Sequence, residues 1–535
     1  MLTDSFFPRI LSRFYAQIIA LAVFMMVLYF DLQTKLPLGD EWMFRWSFEK
    51  FAQGKGLHLW PGLIPFNILE DILALPIYWL NSDPRLIRLV VIPFLILLAI
   101  YTRKIALYLG ASIFWANIAA LAVACSPLTL SVGSGFMSDI SYLALMMMAL
   151  FYALKWIQEG KYSTGAISAC ILASLQRQQG MAITFGIILF LLLQKNKKLN
   201  RKDWLSIGVL IIGTFSAIYL PYRLGISSSH LNNLSENFFH LNVLSTLAHS
   251  VEAIFNLPIM IGLISIPFAL GLAHKKNERV LSKNKLPLVF FAIGLIGLFS
   301  SVFFILIPGA SIFPGDYLHY AGLGPLFLIG AKTPVLPLPF FRFLELLCIF
   351  SFSVLLIWKH KLWTPERLKF SGIVLIMLGF FQLGTALLYP DRDRHFLAVV
   401  VPIIPLVASW LPKQDGTSRT LPLAKIWAIS TILLGVIFYG VAQQDYIAWH
   451  IAIEQTIEQI PSSTPLINVD LGYEGDGVFV QIPAFEKTGT MPFNPTYSRP
   501  PHPKWHLVFA SSNDPRPGVS YTSIASGKII LQKEK

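Results

Sequence analysis

Hydrophobic residues in this chain come in long blocks separated by short polar breaks, without the strict alternation or the one-sided 3.6-residue spacing of a water-soluble domain. Windows of about 19 residues pick out apolar runs near 13–30, 86–102, 112–130, 137–154, 163–176, 180–194, 204–222, 251–273, 286–308, 341–358, 371–389, 395–411 and 426–442. Blocks of roughly 17 to 25 residues match the hydrocarbon thickness of a bilayer when helical. The pattern therefore predicts a mainly α, polytopic membrane helix bundle with about thirteen transmembrane helices. The pair 163–176 and 180–194 is short and reads equally as a re-entrant hairpin; removing both leaves every other orientation unchanged. Residues 309–340 are apolar but broken by Pro and Gly, and are expected as an outer-face lid or interfacial segment.

After Val441 the pattern changes. Ile447, Ile451, Ile453 and Ile457 follow a near-helical spacing, and PLINVDL, HLVFAS and KIILQ read as strands. The expected division is a transmembrane domain over 1–442, with an outer loop at 31–85, and a small soluble α/β domain over 443–535. Lacking cysteine, that second part needs its own core or a dock on the membrane part.

Composition agrees with a bilayer as solvent: 55% of the 535 residues are hydrophobic and 13% are charged. The net charge of +13 does not point to nucleic acid, because the basic residues sit in clusters between apolar runs. Those clusters are Arg9/Arg13, Arg103/Lys104, Lys155/Lys161, Lys195 to Lys202, Lys275 to Lys285, Lys359 to Lys369, and Lys413/Arg419/Lys425. Together these connections hold 23 of the 42 basic residues against six acidic ones, whereas the opposite loops carry about as many acids as bases. By the positive-inside rule the clusters are cytoplasmic and the C-terminus is extracytoplasmic, in a multi-pass protein of the plasma (inner) membrane. The first run, Phe14 to Phe30, follows Arg9 and Arg13 without a small-residue cleavage site and reads as an uncleaved anchor. Cys125, Cys170 and Cys348 all lie in apolar runs and read as packing residues.

Ionisable residues are costly in lipid, so those at the outer mouths of the helices are the candidates for chemistry. The loop after the first span carries Leu38-Gly39-Asp40-Glu41-Trp42, then two helical stretches, Trp42 to Phe51 and Phe66 to Leu80, suited to the membrane interface. Asp40 is either a helix N-cap or a general base facing the membrane surface. Ser138-Asp139 opens the fourth span and has the same two readings. Gln176-Arg177-Gln178-Gln179 lies between the two short spans, and Asp391-Arg392-Asp393-Arg394-His395 opens the twelfth. Such arginines either snorkel to headgroups or bind a lipid phosphate, for which a guanidinium is well shaped.

Gly39-Asp40-Glu41 in a long first outer loop, Ser138-Asp139 before the apolar run Tyr142 to Tyr152, the polar break Gln176 to Gly180, and Asp393-Arg394-His395-Phe396-Leu397 with Pro402 together resemble a known family. It is that of the bacterial GT-C glycosyltransferases related to protein O-mannosyltransferases and lipid A aminoarabinose transferases. The resemblance extends over about 400 residues in order and sidedness. It implies a GT-C-type bundle and transfer of a sugar from a polyprenyl-phosphate donor to a lipid, glycan or protein acceptor. It further implies Asp40, Glu41 and Asp139 in catalysis, and Arg177, Arg394 and His395 on the donor phosphate. Arg177 stands where many relatives have Lys. No further carboxylate follows closely on Glu41 to act as a second acid; Glu70 and Asp71 are substitutes for that place, and a divalent metal stays open as a cofactor.

Two other classes share some of these features. A transporter or flippase would have many spans and intramembrane charges, but no paired half-sequences are visible and the charges gather at the rim. Glu345, near the start of the tenth span, reads as a rim residue or a partner of Arg342. An O-antigen ligase or polymerase would carry its large outer loop late in the chain. His58, His230, His240, His249 and His319 are dispersed and lack a metal-ligand spacing; His58 and His319 are the two that a loop could carry to the site.

Overall fold

Long apolar helices dominate the computed structural model. It describes residues 29, 32–60, 66–193, 199–223, 257, 259–272, 318–319, 322–323, 328–330, 332–356, 364–388, 393–411, 421–488, 503–523 and 526–533. The first outer loop forms α1 (Glu41–Ala52) and α2 (Ile68–Leu80), where the two helical stretches were expected. There follow α3 (Leu86–Tyr108), whose first turn is tighter than an α-helix, α4 (Ile113–Ala124), α5 (Pro127–Gly133), α6 (Ser138–Glu159), α7 (Ser163–Gln176), α8 (Gly180–Leu193), α9 (Arg201–Arg223) and α10 (Ile259–Leu272). Past three two-residue strands come α11 (Leu338–Leu356), α12 (Pro365–Leu388), α13 (Asp393–Val400), α14 (Ile403–Trp410) and α15 (Leu421–Glu458).

Among the described residues four helices are long and apolar enough to cross a membrane: α3, α6 and most of α9 and α15. The bent pair α4 and α5 makes a fifth if it is one span. The chain is a multi-pass membrane protein on that ground. The expected count of thirteen also depends on 13–30 and 286–308, which lie wholly or almost wholly outside the described residues.

Two expected single spans are broken, for a common reason. The run 112–130 bends by 51° between α4 and α5, where Pro127 lacks the N–H that would continue the ladder. Ser126 instead caps the new helix by accepting from the Thr129 N–H at 3.2 Å. The run 395–411 divides into α13 and α14 at Pro402. The short pair α7 and α8 has 14 residues in each helix, so each is about 21 Å long, short of the roughly 30 Å of a hydrocarbon core.

The expected domain boundary at 442/443 falls inside α15, which runs unbroken for 38 residues. Its polar continuation is held by partners: buried Asp445 pairs with Lys332 and accepts from the Ser523 hydroxyl. The sheet beyond it has the order β3-β5-β7-β6, with β4 also on β5. Here β3 is Ile329–Gly330, β4 Val469–Asp470, β5 Trp505–Ala510, β6 Val519–Tyr521 and β7 Gly527–Lys533. β3 and β4 run parallel to β5, and β7 antiparallel with Val508 opposite Ile530. The 309–340 segment thus lends a strand to the C-terminal sheet. The remaining two strands, Leu318–His319 and Gly322–Leu323, form a small hairpin in that segment.

This sheet docks on the first outer loop. Leu36 and Leu38 share a core with Tyr446, Trp449, Ile453 and Phe509, and Glu454 of α15 accepts from Thr34 Oγ1 (2.8 Å), Lys35 N (2.9 Å) and Leu36 N (2.7 Å). From the other side, Arg88 of α3 donates to Glu41 Oε1 at 2.8 Å and to the Leu36 carbonyl at 2.9 Å, while Glu41 Oε2 takes the Leu38 N–H at 2.8 Å. Both members of the Arg88–Glu41 pair are buried. Truncating one partner leaves an uncompensated charge, so Arg88→Leu should lower stability by about 3–5 kcal/mol. Glu41→Leu combined with Arg88→Leu should lower it less. Thermal unfolding in detergent checks both; a single variant as stable as the parent would mean that the pair does not hold the loop.

Candidate active site

Gly39 has φ +59°, the left-handed region that glycine enters freely, and the chain turns there into α1. The next two side chains part company. Glu41 goes to Arg88, and Asp40 goes to Arg394 at the start of α13. Asp40 stands in the N-cap position of α1, yet its side chain makes no capping hydrogen bond. The capping interpretation of this residue is thereby set aside.

Asp139 follows the same rule. It lies in the first turn of α6, a helix without a side-chain cap, and its carboxylate pairs with Arg177. Arg177 is placed by the break between α7 and α8. Its backbone is extended (φ −146°, ψ 137°), and the chain re-enters helix at Gly180, where a Cβ would lie 2.6 Å from the Ser174 backbone nitrogen. Only glycine permits that approach.

The two ion pairs meet at one small cleft, lined by Asp139, Tyr142, Leu143, Arg177, Gln179, Arg394 and Ala398. Arg394 packs against Met137 (Nη1 to Sδ 3.9 Å), which directly precedes Ser138 and Asp139. Arg394, more than 200 positions further along the chain, thus shares one wall with Asp139 and Arg177. Arg177 Nε at the cleft wall is buried with no hydrogen-bond partner, as is Ser138 Oγ next to Asp139 in the chain.

Behind this wall lies α2, whose polarity is inverted. Glu70, Asp71 and Ala74 face inward and are buried, while Ile72, Leu73, Trp79 and Leu80 are exposed. An apolar outer face with acids turned inward suits a helix set against lipid. Buried amides tie its start to the cleft: Gln176 Oε1 accepts from Leu69 N (2.7 Å), and Gln176 Nε2 donates to Asn67 Oδ1 (3.2 Å) and Ser141 Oγ (2.7 Å). Both carboxyl oxygens of Glu70 are buried, beside the Ser141 hydroxyl and the Asn67 amide. Burial pushes the Glu70 carboxyl up to about 8, and raises Asp71 well above the usual carboxylate range.

Of the six residues expected at the site, the structure brings Asp139, Arg177 and Arg394 to the cleft wall and Asp40 onto Arg394. Glu41, expected beside Asp40 in the chemistry, is turned away into its pair with Arg88. The side chain of His395 lies outside the described residues, as does that of His319. His58 is on the surface, bonded to the Lys55 carbonyl at 2.8 Å. Glu345 does pair with Arg342, at 2.8 Å. Among the described residues no three His, Cys, Asp or Glu side chains gather at one place. Gln179 was expected only as part of the polar break, and Tyr142 and Arg88 were not assigned a role from sequence. Of these only Arg88 left a signal, a charge inside the expected span 86–102.

No family model matches the chain, and no curated protein does. Two solved structures are similar to it along nearly its whole length. Both are of ArnT from Cupriavidus metallidurans. The one bound to undecaprenyl phosphate has 13% identity and a TM-score of 0.42; the one in the apo state has 14% identity and a TM-score of 0.40. In each case 96% of this chain and 97% of that chain are covered.

Proposed function

We propose that the protein is an integral-membrane GT-C-type glycosyltransferase that moves a sugar from a polyprenyl-phosphate carrier to a lipid, glycan or protein acceptor on the extracytoplasmic face. The observation that supports this most is the pairing of Asp40 with Arg394 and of Asp139 with Arg177 around one cleft. Two carboxylates and two guanidiniums are what the reaction asks for. The acceptor hydroxyl or amine forms a bond to the anomeric carbon, the bond from that carbon to the phosphate oxygen breaks with its electron pair, and a base takes the acceptor proton.

In this reading the arginines receive the donor phosphate and stabilise the charge it gains on leaving, where preorganised electrostatics contributes most. Arg394 exchanges Asp40 for the phosphate, and the released Asp40 becomes the general base. Asp139 retains Arg177 in place and orients the acceptor or sugar. Glu41 acts one step back, fixing through Arg88 the turn from which Asp40 projects. His395 is adjacent to Arg394 in the chain and joins the phosphate set as part of the same proposal.

The placement suits a lipid-borne donor. The cleft lies where α6 begins, whereas Lys155 and Lys161 of a basic cluster lie near and just beyond its other end; residues 139 and 155 are about 24 Å apart along such a helix. With basic clusters facing the cytoplasm, the cleft opens on the outer leaflet, the C-terminal part lies outside, and the carrier's isoprenoid tail stays in lipid beside α2. The site gathers its charges at the rim, as an interfacial enzyme requires, in contrast to the midplane sites of transporters.

Asp40→Asn should lower sugar transfer from a labelled polyprenyl-phosphate donor by about 10² to 10⁴ in protein that still folds; full turnover by a folded variant would remove Asp40 as the base. Arg394→Ala should weaken donor binding, measured as a raised donor KM. An unaltered donor KM would take the phosphate role from Arg394.

A further inference from the structure

The end of α6 remote from the cleft carries an aromatic shelf that the reaction does not use. Tyr108, Phe151, Tyr101, Tyr152 and Tyr162 pack in a row, with successive ring centroids 6.3, 5.7, 5.8 and 6.3 Å apart. They come from the last turns of α3 and α6 and from the residue before α7. Two lysines lie on the shelf. Lys104 Nζ is 4.7 Å from the Tyr101 centroid and 5.8 Å from that of Phe151, and Lys155 Nζ is 5.4 Å from Phe151 and 4.5 Å from Tyr162. We propose that this shelf binds the phosphodiester of an anionic phospholipid in the leaflet opposite the cleft, held between Lys104 and Lys155. The proposal needs α3 and α6 to cross the bilayer and is independent of the glycosyl-transfer reading.

A lysine that only snorkels extends its ammonium toward water. Here both are drawn back onto ring faces, and both share the Phe151 ring. Like charges gathered at one ring repel, and an anion between them relieves that repulsion. No carboxylate takes the place: among the described residues neither Lys104 nor Lys155 has an ion pair. Glu159 is four residues on from Lys155, where a helical partner would stand. It lies instead 3.2 Å from the Tyr108 hydroxyl, which donates to Gln158 Oε1 at 2.6 Å. Arg103, the neighbouring cation, donates to Asn117 Oδ1 at 2.7 Å.

The phenols add an independent feature. The Tyr101 and Tyr152 hydroxyls are 3.1 Å apart, and one hydrogen closes that bond. Among the described residues the pair has no second acceptor, so one of its two O–H groups is left to donate to a phosphate oxygen. Two ammonium groups repel a headgroup that carries its own ammonium, so the fitting lipid is net negative. The depth also suits a headgroup: Lys155 is about 24 Å along α6 from Asp139, and tyrosines and basic pockets between helices gather at that boundary.

The test follows lipid binding to the full-length protein in detergent by native mass spectrometry, with phosphatidylglycerol and phosphatidylcholine as probes. The parent should retain phosphatidylglycerol more tightly than phosphatidylcholine. Lys104→Gln and Lys155→Gln each remove a side chain that is not buried, and each should weaken phosphatidylglycerol about fivefold without altering phosphatidylcholine. Lys425→Gln, at a lysine that lies over Phe114 alone, should change neither. Equal affinity of the parent for the two lipids, parent-like binding by both shelf variants, or the same loss in Lys425→Gln would overturn the proposal. So would displacement of the lipid by millimolar inorganic phosphate, since the shelf would then be a site for the free anion.

Discussion

A guanidinium near the hydrocarbon boundary needs a partner, because an isolated buried charge is far more costly than a salt-bridged one. Three arginines at this end of the bundle obey that constraint, each with a carboxylate from a distant part of the chain: Arg88 with Glu41, Arg177 with Asp139 and Arg394 with Asp40. The first pair is buried on both sides and acts as a fastening. The other two border a cleft, where in the proposed reaction the donor phosphate takes the place of a carboxylate on the arginine. The same electrostatic demand thus closes one pair into structure and sets two beside the cleft.

The fastening explains why the C-terminal part is not a free appendage. Asp40 sits on a turn with little structure of its own, gripped by Arg88 from the bundle and by Glu454 from α15. Trp46 and Lys50 of α1 both reach Glu486, and the Gly477–Gln481 segment, a π-helical turn, packs against Trp42. Helix, sheet and interfacial loop are thereby coupled, and a displacement of α15 would reach the base.

Much of this was legible in the chain. Apolar runs give the helices because the bilayer imposes their length, and Asp40, Asp139, Arg177 and Arg394 stand out because charge is rare near such runs. What sequence could not supply was pairing. Asp40 and Asp139 sit where helix caps sit, and only the distant arginines show that their side chains serve otherwise. Glu41 looked like a second catalytic acid until its partner Arg88 appeared 47 positions away. The domain boundary was drawn where hydropathy drops, but a helix continues through such a drop when its polar side chains find partners, as Asp445 does. β3 is two residues long, too short for any alternation to register.

The exchange of carboxylate for phosphate is the account's central step, and a structure of the protein with polyprenyl phosphate bound tests it most directly. The account predicts the phosphate within hydrogen-bond distance of Arg177 and Arg394, with Asp40 released from Arg394 and open to the cleft. A phosphate seated elsewhere, or an intact Asp40–Arg394 pair with the lipid in place, would contradict it.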